Sequence, residues 1–266
     1  MSRFSKPAGY IEKLADNAYR AIDEGVYSES LGLEHGPISM RKSLLSASHT
    51  ALITEVKYSS PSKGRIRNAT NGPAEIASAM VKGGAAGLSV LTQPYLFNGS
   101  LGNLASVRKN TTVPLMMKDI IVSRVQIDAG KGAGADCILL IKSLFDRDLA
   151  EESLDSLVDY ARRREIEVLP EAFTPQEYSD LISSAYPLVG INNRNLDTLE
   201  IDLRNTELLI KSCGKGKSLV ISESGVGSAE DVRRLNRAGA DAFLVGTSIM
   251  ASDDISSKVS ELYHAL

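Results

Sequence analysis

GADAFLVG, residues 239–246, is a turn followed by an uninterrupted apolar run, and the chain has used it before. GADCILLI at 134–141 repeats it, and GGAAGLSVL at 83–91 is a looser copy. Continuous apolar runs of this length predict strands covered on both faces, which is the parallel arrangement. Five further runs from residue 51 onward follow the same habit: ALITEV, VPLMMK, IEVLPE, PLVGIN and SLVISES. Helical patterns lie between them, at 73–83, 100–109, 123–132, 146–164, 174–184, 203–212, 228–238 and 254–265. Ser123 and Ser228 are N-cap residue types, and Gly132 and Gly239 stand where helices stop. A strand and a helix in every stretch of roughly thirty residues, eight times over, predict an α/β fold, the (βα)8 TIM barrel. The competing doubly wound sheet would carry a Gly-x-Gly-x-x-Gly turn after its first strand, and no such turn is present there.

Residues 1–50 are expected to form an N-terminal helical extension and covering segment ahead of the barrel at 51–266, in a single domain overall. Ile11, Leu14, Ala15, Ala18 and Ile22 make one helical stripe within 8–24, and Gly25 offers a stop. The polar stretch after it predicts irregular structure. A chain of 266 residues buries a core without staples. Its net charge of −3 gives no basic surface for nucleic acid or membrane. No apolar run nears the roughly 18 residues that span a bilayer. The start MSRFSKPAGY lacks a signal peptide's apolar core, so a cytoplasmic location is expected. Cys137 lies in an apolar run as a buried thiol, Cys213 is distant, and the three histidines make no metal-binding spacing. No metal is expected. Nothing resembles a heptad or an exposed apolar patch, so a monomer or weak homodimer is expected.

The first strand breaks a rule. ALITEV runs into KYSSPSKG, putting Glu55 and Lys57 where apolar residues belong. Two residues apart, both point to one side of the strand, toward the barrel axis. The other strands also end in charge or amide: Lys118 and Asp119, Glu171, Asn192 with Asn193 and Arg194, and Glu223. Barrel enzymes act at these carboxyl ends. Each residue alone has a bland reading as a structural ion pair or a solvated strand end. Their joint occurrence at equivalent ends argues for a site. Crowded acids and ammonium groups shift one another's pKa values, and Lys118 beside Lys57 is expected to be lowered.

A second signal follows strands seven and eight. SESGVGS and VGTSIM place Ser224, Gly225, Gly246 and Thr247 at adjacent loops, with a short helical turn starting near Thr247. Small residues let backbone N–H groups approach an anion, and many barrels hold a phosphate here. A phosphorylated small-molecule substrate is expected.

EVKYSSPSKG, LTQPYLFNGS, MKD, GINNRNLDTLEID, ISESGV and FLVGTSIM, taken in order, resemble the signature blocks of the indole-3-glycerol phosphate synthase family. The resemblance covers roughly residues 50–250 and extends to the N-terminal helix. It implies a carboxy-lyase of tryptophan biosynthesis that uses no metal or organic cofactor. Its substrate would be 1-(2-carboxyphenylamino)-1-deoxyribulose 5-phosphate, closed to indole-3-glycerol phosphate with loss of carbon dioxide and water. On the family pattern Lys118 is the leading acid, Glu171 the base, and Lys57 a second acid or substrate anchor. Glu55 would hold Lys57, Asn192 would orient the reacting centre, Arg194 would support the acids or the substrate, and Glu223 would bind sugar hydroxyls. Ser60, Ser224, Gly225, Gly246 and Thr247 would take the phosphate, and Pro61, Phe97 and Leu139 would wall the ring. Ile120 stands where the family often has Phe, and Tyr58 and Ser59 depart from its first block. Two rivals are a sister barrel, phosphoribosylanthranilate isomerase, and a catalytically inactive barrel serving as a binding subunit. The sister enzyme works with a Cys and Asp pair, and no Cys ends strand one. The inactive reading has to explain why all six catalytic-type residues are kept.

Overall fold

Asp136 and Asp241, which close the two Gly-Ala-Asp turns, tie each new strand to the one before it. Asp136 Oδ2 accepts from the backbone N–H of Leu115 at 2.9 Å, and Asp241 Oδ2 accepts from that of Val220 at 2.9 Å. The aspartate N–H groups return the bond, to Leu115 O and Val220 O, each at 2.8 Å. The repeated motif is therefore a strand-pairing clamp at the amino-terminal end of the sheet.

The computed structural model describes residues 9–28, 31–33, 35–60, 64–67 and 71–266. Eight strands form a closed barrel: β1 (Ala51–Val56), β2 (Gly87–Leu91), β3 (Leu115–Lys118), β4 (Cys137–Ile141), β5 (Glu167–Ala172), β6 (Leu188–Asn192), β7 (Leu219–Glu223) and β8 (Ala242–Val245). Each pairs in parallel with the next, and β1 pairs with β8, Leu52 opposite Phe243. Helices at Pro73–Lys82, Leu101–Arg108, Arg124–Gly132, Leu154–Arg163, Pro175–Ser183, Arg204–Cys213, Ala229–Arg237 and Ile255–Tyr263 return the chain after each strand. The predicted barrel is the observed one.

Period-2 alternation sorts the side chains into two cores. Leu52, Leu88, Met117, Ile138 and Val220 face outward against helix residues such as Ile76, Leu104 and Val232. Ile53, Met116, Leu139, Leu169, Ile221 and Leu244 fill the interior. Continuing the inward set by one step reaches Glu55, Lys118, Glu171, Glu223 and Gly246. The charged strand ends are simply the next inward positions above an apolar barrel.

Two expectations need correction. The single helix expected at 146–164 is two, Lys142–Asp146 and Leu154–Arg163. Asp148 takes a left-handed φ of 54°, and Ser153 caps the second helix by accepting from Ser156 N. The segment read as irregular after Gly25 contains a helix. We label the helix Tyr10–Asp23 α1 and Met40–Leu45 α2. They sit at opposite ends of the barrel. Tyr10 and Leu14 of α1 line the cavity at the carboxyl-terminal mouth, where Glu12 pairs with Arg147 at 3.2 Å. At the base, Met40 packs where a Cβ on Gly87 would sit, and Arg41 N donates to Glu167 Oε2 at 3.0 Å.

Candidate active site

A cavity of about 400 Å³ opens at the mouth, within the size range of small-molecule sites. Glu55, Lys57, Phe97, Lys118, Leu139, Glu171, Asn192 and Arg194 all line it, as do Ser224, Gly225, Gly246 and Thr247. Glu223 lies beneath that lining, fully buried. Ser60 belongs to a two-residue strand paired with Gly64–Arg65, and Pro61 lies outside the described residues.

The charges form two groups. In the first, Lys57 Nζ meets Glu55 Oε1 at 2.6 Å. Burial works against the Glu55 carboxylate, but Lys57 and then Lys118 outweigh it and hold its pKa below the usual value. In the second, Lys118 Nζ donates to Glu223 Oε2 at 2.7 Å and stands 3.7 Å from Glu171 Oε2. Asn192 bridges this group to the loop after β6. Its Nδ2 donates to Glu171 Oε1 at 3.0 Å, and its Oδ1 accepts from Arg194 N at 2.9 Å. The Arg194 Nη1 group holds the same loop through Leu199 O at 3.1 Å.

The expectation of a lowered Lys118 pKa is overturned. Burial opposes its charge, but Glu223, Glu171 and Glu55 together raise its pKa well above the ordinary value. The acids rather than Lys57 dominate its surroundings, and Lys118 is held as an ammonium. Burial pushes Glu223 up to about 8; Lys118 opposes this and Glu171 adds to it. Asp119, next to Lys118, is pushed up to about 6 by burial although Thr92, Tyr27 and Ile120 N all donate to it.

The adjoining rim, after β7 and β8, is small and backbone-rich. Ser224 and Gly225 take positive φ values of 66° and 90°, which for a serine is a strained state typical of ligand clamps. A four-residue helix starts at Thr247 after Gly246, and the first N–H groups of any helix lack partners within it. Gly246 also faces the charges: a Cβ there would lie 2.7 Å from Glu55 Oε1.

Several lining residues were not foreseen, among them Tyr10, Gln93, Leu196 and Ile201. Gln93 lies two residues past the end of β2, so reading the residues just beyond every strand alike would have found it. Tyr10 carries no signal, because only the tertiary fold puts α1 over the mouth. Among the described residues Tyr10 and Phe97 are the aromatic lining groups, and Ile120 is aliphatic wall. Tyr58 turns into the outer core, its hydroxyl on Asn71 O at 3.1 Å, and does not line the cavity. Among the described residues no group of three or more His, Cys, Asp or Glu side chains is disposed to hold a metal ion, and no helix is long and apolar enough to cross a membrane.

A closed parallel barrel with its polar side chains gathered at the carboxyl-terminal rim belongs with the (βα)8 proteins whose sites lie in that rim. Solved structures agree on the fold. Thiamine phosphate pyrophosphorylase from Pyrococcus furiosus superposes with a TM-score of 0.59 at 13% identity, covering 85% of this chain and 97% of its own. The N-acetylmannosamine-6-phosphate 2-epimerase from Clostridium perfringens gives 0.58 at 16%, covering 81% and 93%. Sequence is more specific. The family described as indole-3-glycerol phosphate synthase matches residues 17–262. Proteins of that name are 42% identical over 206 residues in Bacillus cereus (77% of this chain, 79% of the relative) and 41% over 211 in Methanocaldococcus jannaschii (79% and 76%). The Aquifex aeolicus relative is 39% identical over 219 residues (82% and 83%). This chain belongs to the indole-3-glycerol phosphate synthase family.

Proposed function

We infer that the protein is an indole-3-glycerol phosphate synthase, a carboxy-lyase that closes the indole ring of 1-(2-carboxyphenylamino)-1-deoxyribulose 5-phosphate. The observation that carries the assignment of roles is Lys118, an ammonium 2.7 Å from Glu223 and 3.7 Å from Glu171. In our reading Lys118 protonates the ribulose carbonyl oxygen as the ring carbon bearing the carboxylate attacks the carbonyl carbon. The bond to carbon dioxide then breaks, and its electrons restore the aromatic ring. Glu171 next removes a proton from the sugar chain while Lys57 protonates the departing hydroxyl as water. Glu223, buried beneath the lining, holds Lys118 in place rather than meeting sugar hydroxyls. Glu55 pairs with Lys57 and meets the sugar hydroxyls, Asn192 orients Glu171, and Arg194 supports the substrate. Ser60, Ser224, Gly225, Gly246 and Thr247 hold the phosphate. Phe97 and Leu139 form the ring wall, to which we add Tyr10 and Ile120.

The test is indole emission on mixing the protein with that substrate, in a chain that has no Trp. We expect emission to appear and Lys118→Ala to lose about 10²–10⁴-fold in rate, as for a missing general acid. An unchanged rate in the variant would remove Lys118 from the chemistry. No turnover by the unmodified protein would overturn the function.

A further inference from the structure

We propose that Gln93 is a specificity-determining residue whose side-chain amide receives the carboxylate on the substrate's aryl ring; this rests on the function proposed above. Gln93 lies two residues past the end of β2, is fully buried, and lines the cavity. Its amide orientation is fixed by chemistry. The Leu96 backbone N–H can only donate, and it meets Gln93 Oε1 at 2.9 Å as the cap of the helix Pro94–Phe97. The NH₂ end must therefore point the other way. There Nε2 has no hydrogen-bond partner among the described residues. A buried donor without an acceptor is costly, and such a group in a native fold calls for an explanation. An acceptor that arrives with the ligand supplies one.

The acceptor follows from position. Gln93 opens the same short helix that carries Phe97, so it belongs to the ring end of the cavity. Ser224, Gly225 and Thr247 occupy another sector, in the loops after β7 and β8. The aryl ring of this substrate bears one strong acceptor, its carboxylate. A neutral donor suits a group that must leave as carbon dioxide. An ammonium or guanidinium would stabilise the carboxylate strongly in the ground state and add to the barrier for its loss. An amide orients it with less penalty.

The experiment compares two unreactive ligands: 1-(2-carboxyphenylamino)-1-deoxyribitol 5-phosphate and its counterpart without the ring carboxylate. Gln93→Glu keeps the oxygen that caps Leu96 N and replaces the donor by a second, repelling oxygen. Gln93→Met keeps the length and removes the donor. We expect Gln93→Met to weaken the carboxylated ligand about tenfold and Gln93→Glu more, in the range for lost hydrogen bonds to a charged group. The ligand without the carboxylate should move less than about twofold. Equal weakening of both ligands, or of neither, overturns the proposal. Turnover by the unmodified protein alongside such a result leaves the synthase assignment standing. Failure of the unmodified protein to turn over substrate removes both.

Discussion

Glu223 holds Lys118 from below the cavity. Its Oε2 accepts from Lys118 Nζ at 2.7 Å, while its Oε1 has no partner among the described residues and fills the space where a Cβ on residue 190 would stand. The acid that keeps the lysine charged is thus invisible from the pocket yet fixed by the strand beside it.

Removing that acid should lower the Lys118 pKa, because a nearby carboxylate favours the ammonium. In Glu223→Gln the alkaline limb of the pH–rate profile should move to lower pH than in the unmodified protein. An unshifted alkaline limb would show that the pair does not control the lysine.

Gly190→Ala should disturb catalysis as well as stability. The new Cβ would lie 2.3 Å from Glu223 Oε1, so the carboxylate must shift. We expect a loss of about 1–3 kcal/mol in urea unfolding, as for overpacking, together with at least about a tenfold fall in kcat from a misplaced positioning group. Unchanged kcat would show that the pair tolerates displacement.

The two Gly-Ala-Asp clamps should differ in strength. Asp136 is buried with Arg108, Nη1 to Oδ2 at 2.8 Å; the Asp241 partner, Lys215, is 40% exposed. Asp136→Ala strands a buried guanidinium and should cost about 3–5 kcal/mol. Asp241→Ala should cost clearly less, since the exposed ion pair itself contributes little. Equal losses would mean that the backbone clamp, common to both, dominates.

Asp119 sets a pH dependence of stability whose sign is opposite to that of an ordinary ion-paired acid. Its pKa is about 6 in the fold against an ordinary 3.8, so the native state binds the proton more tightly than the unfolded chain. Its contribution to stability is present below about pH 4 and falls as pH rises to about 6. Compared with Asp119→Asn, the unmodified protein should lose stability across that interval, on the order of 2–3 kcal/mol. Parallel curves for the two proteins would refute the shift.

The strands were legible because burial on both faces leaves an unbroken apolar run, and their charged ends were legible because ions there contradict that run. Glu55, Lys118, Glu171 and Glu223 were read this way. What escaped depends on contacts between distant segments. The direction of the Lys118 shift follows from three carboxylates on β1, β5 and β7, none near it in sequence. Tyr10 enters the cavity only because α1 crosses the mouth. The break at 146–164 hides in Asp148, since few sequence patterns announce a left-handed aspartate.

The helices α1 and α2 tie the two ends of the barrel together, and this dictates an order of events during synthesis. Tyr19 hydroxyl donates to Leu149 O at 3.1 Å, a span of 130 residues, and Ser39 donates to Glu167 Oε1 across 128. This stretch therefore waits for β5, made long after it, before it can finish docking. Until then its apolar stripe has no seat, so a nascent chain halted before residue 167 exposes Leu14 and Met40 to any chaperone that reads bare apolar surface.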